Sequence, residues 1–542
     1  MPRVKDLKEL RARSGSKRLT LIACILGSGI ATLDGSVVNV ALPTIQRALG
    51  GGLAAQQWVV NGYLLTLGSL ILVGGSLGDL YGQRRTFALG VTGFGVASLG
   101  CALAPTIGWL VAARAVEGVF SALLTPASLA VIINTFPESE RGAAIGAWTA
   151  WGTIAVVIGP LIGGELLAIA SWRWIFVINL PLVAICVALI RVAIPPAAPR
   201  MRSGRNVDVP GALLCALGLA GLVFALIEQP RLGWSSPGVL APLLGGGALL
   251  AGFVLRESRA RDPMLPLRLF RQRNFSAGNV ETFSMYAGLS IVFFFLVIFL
   301  QQIGGYSPLK SGLTTAPVTA VTFLLSRRFG RLADRYGPRL FMGAGPLVCA
   351  VGLMMLLRVG VHISYWRDVL PGLLVFALGL AITVAPLTAA VLADATEDDA
   401  GIASGVNNAV ARVAGLIGTA AVGAAVSASF VANLDGRVAG VALNAAGRAA
   451  LAEARRLPLG LPDVRGLPAA QAHALTSAAQ QASLHGFHLG MLIAAALVAI
   501  GGLVGAAGIR NRHGAITAEH CSTGQLVGPG RQLAEAASAA SG

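Results

Sequence analysis

Charge is scarce in this chain of 542 residues: Asp, Glu, Lys and Arg make up 12%, about half the roughly 25% of a soluble domain. That shortage excludes a string of soluble domains, whose surfaces need polar cover. Cysteine is sparse too, with six residues and no pair at CxxC spacing, which leaves out the common redox and zinc frameworks. Cys24, Cys101, Cys186, Cys215 and Cys349 lie inside apolar runs and read as small packing residues, while Cys521 sits in a polar tail. No cluster of metal ligands, phosphate-binding loop or ATP-binding unit stands out, and Gly245-Gly246-Gly247 falls within an apolar run. No nucleophile with a base converges at one depth, so neither a membrane enzyme nor an ATP-driven pump is expected.

What is abundant is apolar surface. Hydrophobic residues make up 55% of the chain, and the mean hydropathy is +0.74. A membrane helix needs about 20 largely apolar residues. Fourteen stretches qualify, at 18–43, 54–78, 86–104, 107–134, 142–169, 174–194, 208–228, 237–255, 274–301, 311–329, 340–358, 369–392, 400–431 and 486–509. The expected fold is therefore an all-α polytopic membrane protein with 14 transmembrane helices.

The net charge of +17 is a topology signal, because positive residues favour the cytoplasmic side. Residues 1–17 form a basic segment, and Arg and Lys concentrate after the second, sixth, eighth, tenth and last stretches. This pattern predicts cytoplasmic N- and C-termini and no nucleic-acid partner. The long connection at 432–485 is external by parity despite Arg437, Arg448, Arg455, Arg456 and Arg465; the run from Ala445 to Arg456 predicts a short interfacial helix. Residues 511–542, rich in Ala, Gly and Ser, read as a disordered tail.

A duplication organises the chain. Gly75-x-Leu77-x-Asp79-x-Tyr81-Gly82-x-Arg84 recurs as Gly330-x-Leu332-x-Asp334-x-Tyr336-Gly337-x-Arg339, six identities at an offset of 255 residues. The halves are then 18–194 and 274–510, each of six helices, with 195–273 a linker holding an inserted pair. Parallel repeats around a central site are a transporter plan. Gly75, Asp79, Gly82, Arg84 and Arg85, with Asp334, Arg335 and Arg339, form either a conformational latch between helices or a static turn.

The loop G-S-L-G-D-L-Y-G-Q-R-R resembles that of the major facilitator superfamily. Five further stretches resemble its fourteen-span drug:proton antiporters: L-D-G-S-V-V-N-V-A-L-P (33–43), Q-W-V-V-N-G-Y-L-L (57–65), G-P-L-I-G-G (159–164), W-R-W-I-F-V-I-N-L-P (172–181) and A-S-G-V-N-N-A-V-A-R (403–412). The resemblance covers about 18 to 510. It implies two six-helix bundles plus two inserted helices in the cytoplasmic membrane, working as a monomer. It also implies export of amphipathic or cationic drugs and antiseptics driven by proton influx, with no cofactor beyond the proton motive force. A narrower reading is a dedicated exporter of one endogenous metabolite, such as an antibiotic or lipid precursor.

Ionisable residues inside spans are costly and usually functional. Asp34 lies about 15 residues, about 22 Å, into the first helix and matches the family's first-span acidic motif. An apolar site penalises the ionised carboxylate, so Asp34 either carries a proton or stays paired with an Arg. Arg114, at a similar depth on the fourth span, is the expected partner and matches the family's R-x-x-Q-G. Glu117 stands where that motif has Gln, and is either a counter-charge to Arg114 or a second proton site.

Gly152, Gly159, Pro160, Gly163 and Gly164 match the family's antiporter motif, whose glycines permit close helix contact while the proline bends the helix. Candidates for a substrate-binding surface are Asn39, Trp58, Asn61, Tyr63, Trp148, Trp151, Glu281, Asn407, Asn408 and Arg412. Among these the aromatics suit cations, and Glu281 suits a cation or a proton. His485 and His488 fall where the last span begins and read as solvated or interfacial.

Overall fold

Long uninterrupted apolar runs leave the backbone no partner but itself, and helices result. The computed structural model describes residues 4–195, 208–260, 263–392 and 397–511, and every regular element among them is helical. The first half comprises α1 (Val4–Leu49), α2 (Leu53–Tyr81), α3 (Gln83–Ala102), α4 (Ile107–Thr135), α5 (Glu138–Ile169), α6 (Trp174–Val177) and α7 (Asn179–Ala193). The inserted pair is α8 (Val209–Leu232) and α9 (Pro237–Arg259). The second half holds α10 (Arg273–Gln302), α11 (Pro308–Tyr336), α12 (Pro338–Met355), α13 (Leu370–Leu392), α14 (Glu397–Val438), α15 (Ala445–Ala454) and α16 (Ala469–Gly508). Starts are set by short polar caps, for example Thr106 accepting from the Trp109 N–H and Ser307 from that of Lys310.

Twelve helices among the described residues are long and apolar enough to cross a membrane. The third and tenth of the fourteen expected spans fall on α3 and α11, which are helices of 20 and 29 residues but stand outside those twelve. The reason is composition: α3 opens on Gln83-Arg84-Arg85-Thr86 and α11 ends on Ser326-Arg327-Arg328 followed by Arg331, Asp334 and Arg335.

The connection expected over 432–485 is largely helical. α14 runs on to Val438 and α16 starts at Ala469, because Ala-rich polar sequence extends a helix past its apolar stretch. The expected helix at Ala445–Arg456 is α15, ending at Ala454, and it packs on the extensions through Phe430, Leu434, Ala450, Ala454 and Leu475. The expected tail, apart from Asn511, and most of the expected linker before α8 lie outside the described residues.

The repeat is structural as well as sequential. Gly82 ends α2 and Gly337 ends α11, with φ of +93° and +84° that only glycine adopts freely. In both halves the motif arginine then reaches to the last turn of another helix of its own half. Arg84 donates to the Arg191 carbonyl of α7 at 3.1 Å, and Arg339 to the Ala506 carbonyl of α16 at 2.7 Å. Free carbonyls at a helix C-terminus attract cations, so each arginine ties α3 to α7, or α12 to α16. These ends, with the start of α1, define one face of the bundle, called here the terminal face.

At the opposite, far face the halves meet. Four side-chain hydrogen bonds join them among the described residues: Gln301 to the Val40 carbonyl at 2.9 Å, Gln302 to Gln46 at 2.8 Å, Gln57 to the Thr419 carbonyl at 2.6 Å, and Thr419 to Asn61 at 3.0 Å. A cavity of about 1520 Å³ opens above this closure, lined by Gln46, Gln57, Gln302, Tyr306, Arg455 and Arg456 among others. The stretch after α15 roofs it, pressing the Arg456 carbonyl against Gly52.

The inserted pair sits on one seam between the halves. Leu219, Val223 and Ile227 of α8 pack together with Trp58 and Leu65 of α2 and with Leu416 and Ala420 of α14. α8 is tied to α9 by Arg256, whose guanidinium donates to Asp208 at 2.8 Å and holds that carboxyl below its usual range. Among the described residues the other seam, between α5 and α11, has no such cover. Large apolar side chains such as Ile169, Val192 and Leu244 project outward at 69–78% exposure, as lipid-facing surface does.

Candidate functional site

Asp34, near the middle of α1, is wholly buried, and so are Arg114 and Glu117 of α4. The structure brings the three together. Arg114 Nη1 donates to Asp34 Oδ2 and, at 2.6 Å, to Glu117 Oε2. The two carboxylates thus share one nitrogen of a single guanidinium. Arg114 Nε adds a 3.3 Å bond to the Val59 carbonyl, and its guanidinium carbon lies 4.4 Å from the centre of the Tyr63 ring.

Further polar side chains complete the pocket. Asn179 of α7 donates to Asp34 Oδ1 at 3.3 Å and to Ser98 of α3 at 2.9 Å. Ser98 in turn donates to the Phe176 carbonyl, and the Cys101 thiol donates to Glu117 at 3.5 Å. Tyr63 and Ser121 are joined at 2.9 Å. Glu117 Oε1 is buried without a hydrogen-bond partner. The sequence reading missed Ser98, Cys101, Ser121 and Asn179. Only Asn179 carried a signal, its place in the 172–181 motif.

The glycines at 159–164 serve two contacts. A Cβ on Gly159 would collide with Ser36, and one on Gly163 would come within 2.7 Å of Val37, so α5 lies directly on α1 beside Asp34. Gly164 faces the Leu309 backbone, and Pro160 lies against Gly312 of α11, where a Cβ would sit 2.8 Å away. This stretch therefore belongs to the uncovered seam between the halves. Gly152 has open space around its Cα and joins no close contact.

The motif loops sit on the terminal face. Asp79 accepts from Gln83 at 2.9 Å, at the start of α3, and neither Asp79 nor Asp334 forms an ion pair among the described residues. Gly75 lies 3.9 Å from Pro126 at the place of a Cβ. Arg85 is exposed, and Arg335 lies over Tyr336 with its guanidinium carbon 5.4 Å from the ring centre.

The candidates for a substrate surface do not form one cluster. Tyr63 faces Arg114, and Trp58 turns to the inserted pair, where it donates to Glu228 at 3.3 Å and meets Phe224. Asn61 belongs to the far-face closure. Asn39 is half-buried and donates to the Gly35 carbonyl, Trp148 packs in the first half, and Trp151 is exposed. Asn407 donates to Asn279 and Thr282 of α10, while Asn408 and Arg412 are exposed, with Arg412 beside Gly68 of α2. Glu281 is buried inside the second half. His488 is half-buried and contacts the Val359 carbonyl at 2.8 Å, whereas His485 is exposed.

Comparison with known proteins gives this architecture its family. The family model described as Major Facilitator Superfamily matches residues 24–419. The chain is 35% identical to the multidrug resistance protein Stp of Mycobacterium tuberculosis (strain CDC 1551 / Oshkosh), over 77% of each chain. It is likewise 35% identical to the tetracenomycin C resistance and export protein of Streptomyces glaucescens, over 74% of this chain and 75% of that one. Its fold is similar to that of a bacterial homologue of the human lysosomal transporter Spinster in an inward-facing and unoccupied conformation, with a TM-score of 0.59 at 17% identity, covering 92% of this chain and 99% of that one. The chain belongs to the major facilitator superfamily, and is thus a multi-pass membrane transporter.

Proposed function

We propose that the protein is a proton-coupled antiporter that exports amphipathic or cationic drugs across the cytoplasmic membrane by alternating access. The observation that carries this reading is the buried trio of Asp34, Arg114 and Glu117. Two carboxylates against one guanidinium leave a net charge of −1 when all are ionised, and a buried uncompensated charge is expensive. One proton on the pair makes the site neutral. A second, adjacent charge change then shifts the equilibrium between conformations, which is what coupling requires.

The closed far face and its four cross-half bonds support an inward-facing state in which the terminal face is cytoplasmic, in line with the charge pattern. Gly159, Gly163 and Gly164 link α1 beside Asp34 to the α5–α11 seam, so a change at Asp34 is next to a surface that must slide when the halves rock. α3 and α11, flanked on both sides by spanning helices and packed within their halves, complete fourteen spans.

A second reading is a dedicated exporter of one compound, favoured by the Streptomyces relative named for tetracenomycin C alone. One assay separates the two. Inside-out vesicles are energised acid inside, and substrate-induced proton release is followed with a pH dye across lipophilic cations and neutral amphiphiles. Dequenching by several unrelated compounds, absent without the protein, supports the broad exporter. Response to one compound alone supports the dedicated one, and silence across the panel overturns drug export.

A further inference from the structure

Glu281 has no role in the site above, yet it is the most isolated acid among the described residues. It is wholly buried on α10, and both carboxylate oxygens lack a hydrogen-bond partner. Its neighbours along the helix are partnered: Asn279 and Thr282 both accept from Asn407 of α14, at 3.3 and 2.7 Å. The carboxylate turns instead toward α16 and α12. Gly505 lies against Glu281 Oε2, where any Cβ would collide, and Gly501 lies beside Ser284 and the Glu281 backbone. The Met342 carbonyl of α12 borders the same space.

The repeat gives this position meaning. Asp34 on α1 faces α3, α4 and α7 in the first half, and Glu281 on α10 faces α12 and α16 in the second. Arg84 and Arg339 identify α3 with α12 and α7 with α16. Both acids therefore occupy the interior of their own half, though Glu281 lies nearer the terminal face. The first pocket contains a guanidinium and the second contains none.

The charged and titratable groups on the surrounding helices do not substitute for one. On α12 these groups are Arg339, whose guanidinium is taken up by the Ala506 carbonyl at the terminal face and forms no ion pair with Glu281, and Cys349, a buried free thiol; α13 has none. The histidines of α16 are 13 or more residues from Gly501, about 20 Å along the helix. On α10 itself are Tyr286 and, eight residues before Glu281, Arg273, whose guanidinium donates to the Gly508 and Ala507 carbonyls of α16. On α14, Arg412 is exposed beside α2 and forms no ion pair with Glu281. An ionised carboxylate without donor or cation is not sustained in such surroundings.

We propose that Glu281 is a second proton-binding site, which holds a proton in this conformation and releases it during transport. Its distance from the start of α10 is eight residues, about 12 Å, which makes the route to the terminal face short. The other end of α10 carries Gln301 and Gln302, which bond to α1 across the far face. Opening that face pulls on the helix whose glycine-lined contact with α16 encloses Glu281. Protonation in this state stands independently of the export reading, while release during transport rests on it.

The test has two arms on the full chain. Infrared difference spectra between the protein and Glu281→Gln, in lipid nanodiscs at neutral pH, should show the carbonyl stretch of a protonated carboxylic acid, lost in the variant and shifted in deuterium oxide. Carboxylate stretches in its place overturn the proposal. Glu281→Asp should keep an acid band, which guards against a variant that fails to fold. Reversal-potential measurements in vesicles should then show one proton fewer per drug in Glu281→Gln, and unchanged coupling overturns the release step. Absence of drug-dependent proton flux in the unmodified protein counts against the export reading, because the infrared arm needs no transport.

Discussion

The two halves share a repeat and a helix plan, yet treat a buried acid in opposite ways. In the first half, Asp34 is held by Arg114 and Asn179, with Glu117 as a second carboxylate on the same guanidinium. In the second, Glu281 meets glycine and a carbonyl, with no donor. The duplicated scaffold therefore does not place the two acids at matching positions, since the repeat offset of 255 pairs Asp34 with Leu289, and the chemistry of each acid depends on whether a neighbouring helix supplies a cation. α4 supplies Arg114, whereas the described side chains of α13 are apolar apart from Thr383 and Thr388.

The sharpest way to break this contrast is to remove the cation. Arg114→Ala leaves two buried carboxylates facing each other, and breaking a buried pair costs about 3–5 kcal/mol. The expected outcome is a marked fall in melting temperature in detergent and loss of transport. Adding Glu117→Gln to that variant should recover part of the stability, because one of the two orphaned charges is gone. No recovery would mean that Glu117 is not a partner of Arg114 in the membrane.

Next in size are the acids themselves. Asp34→Asn keeps the shape and the contact with Asn179 but cannot bind a proton reversibly. Proton-coupled efflux should be abolished while the protein still inserts and folds, as read by dye-detected proton flux and size-exclusion profile. Glu117→Gln restores the residue usual in the resembling family and should leave export measurable with an altered pH profile. Normal pH-driven transport by Asp34→Asn would remove it from the coupling site.

How much of this was legible in the sequence follows from which properties a helix writes into its pattern. The depth of Asp34, Arg114 and Glu117 could be read from residue number and helix rise, because charges inside apolar runs are conspicuous. Ser98, Cys101 and Ser121 carry no such penalty and pass as ordinary packing residues. The face of Glu281 could not be read, because Asn279, Thr282 and Ser284 stand within three positions of it on different sides of α10, and no single polar side orients that turn of the helix. Trp58 was legible as an aromatic residue, but its turn toward α8 depends on where the inserted pair docks. The repeat was legible in full, since positive φ at Gly82 and Gly337 leaves few alternatives to glycine.

The α5–α11 seam belongs to both halves and should respond more moderately. Gly164→Leu places a side chain against the Leu309 backbone, where overpacking costs about 1–3 kcal/mol. The strain falls on the state in which these helices touch, so the far face should open more readily. Accessibility of a cysteine introduced in place of Gln46 to a membrane-impermeant reagent should increase, with transport slowed. Unchanged labelling would show that the seam does not report on the closure.

The smallest effect tests the equality of the halves instead of their difference. Arg84 and Arg339 make the same contact, a guanidinium on a carbonyl of the last turn of α7 or α16. A cation at that position contributes about 0.3–1 kcal/mol at a partly exposed site. Arg84→Gln and Arg339→Gln should therefore lower thermal stability by similar small amounts, additively in the double variant because the contacts lie in separate halves. Arg339 also holds Asn511 through its backbone N–H, a bond the substitution leaves in place, so its side-chain loss compares directly with that of Arg84. A much larger effect on transport than on stability, in one variant alone, would mean that one copy of the motif acts as a latch between conformations while the other only ties helices together.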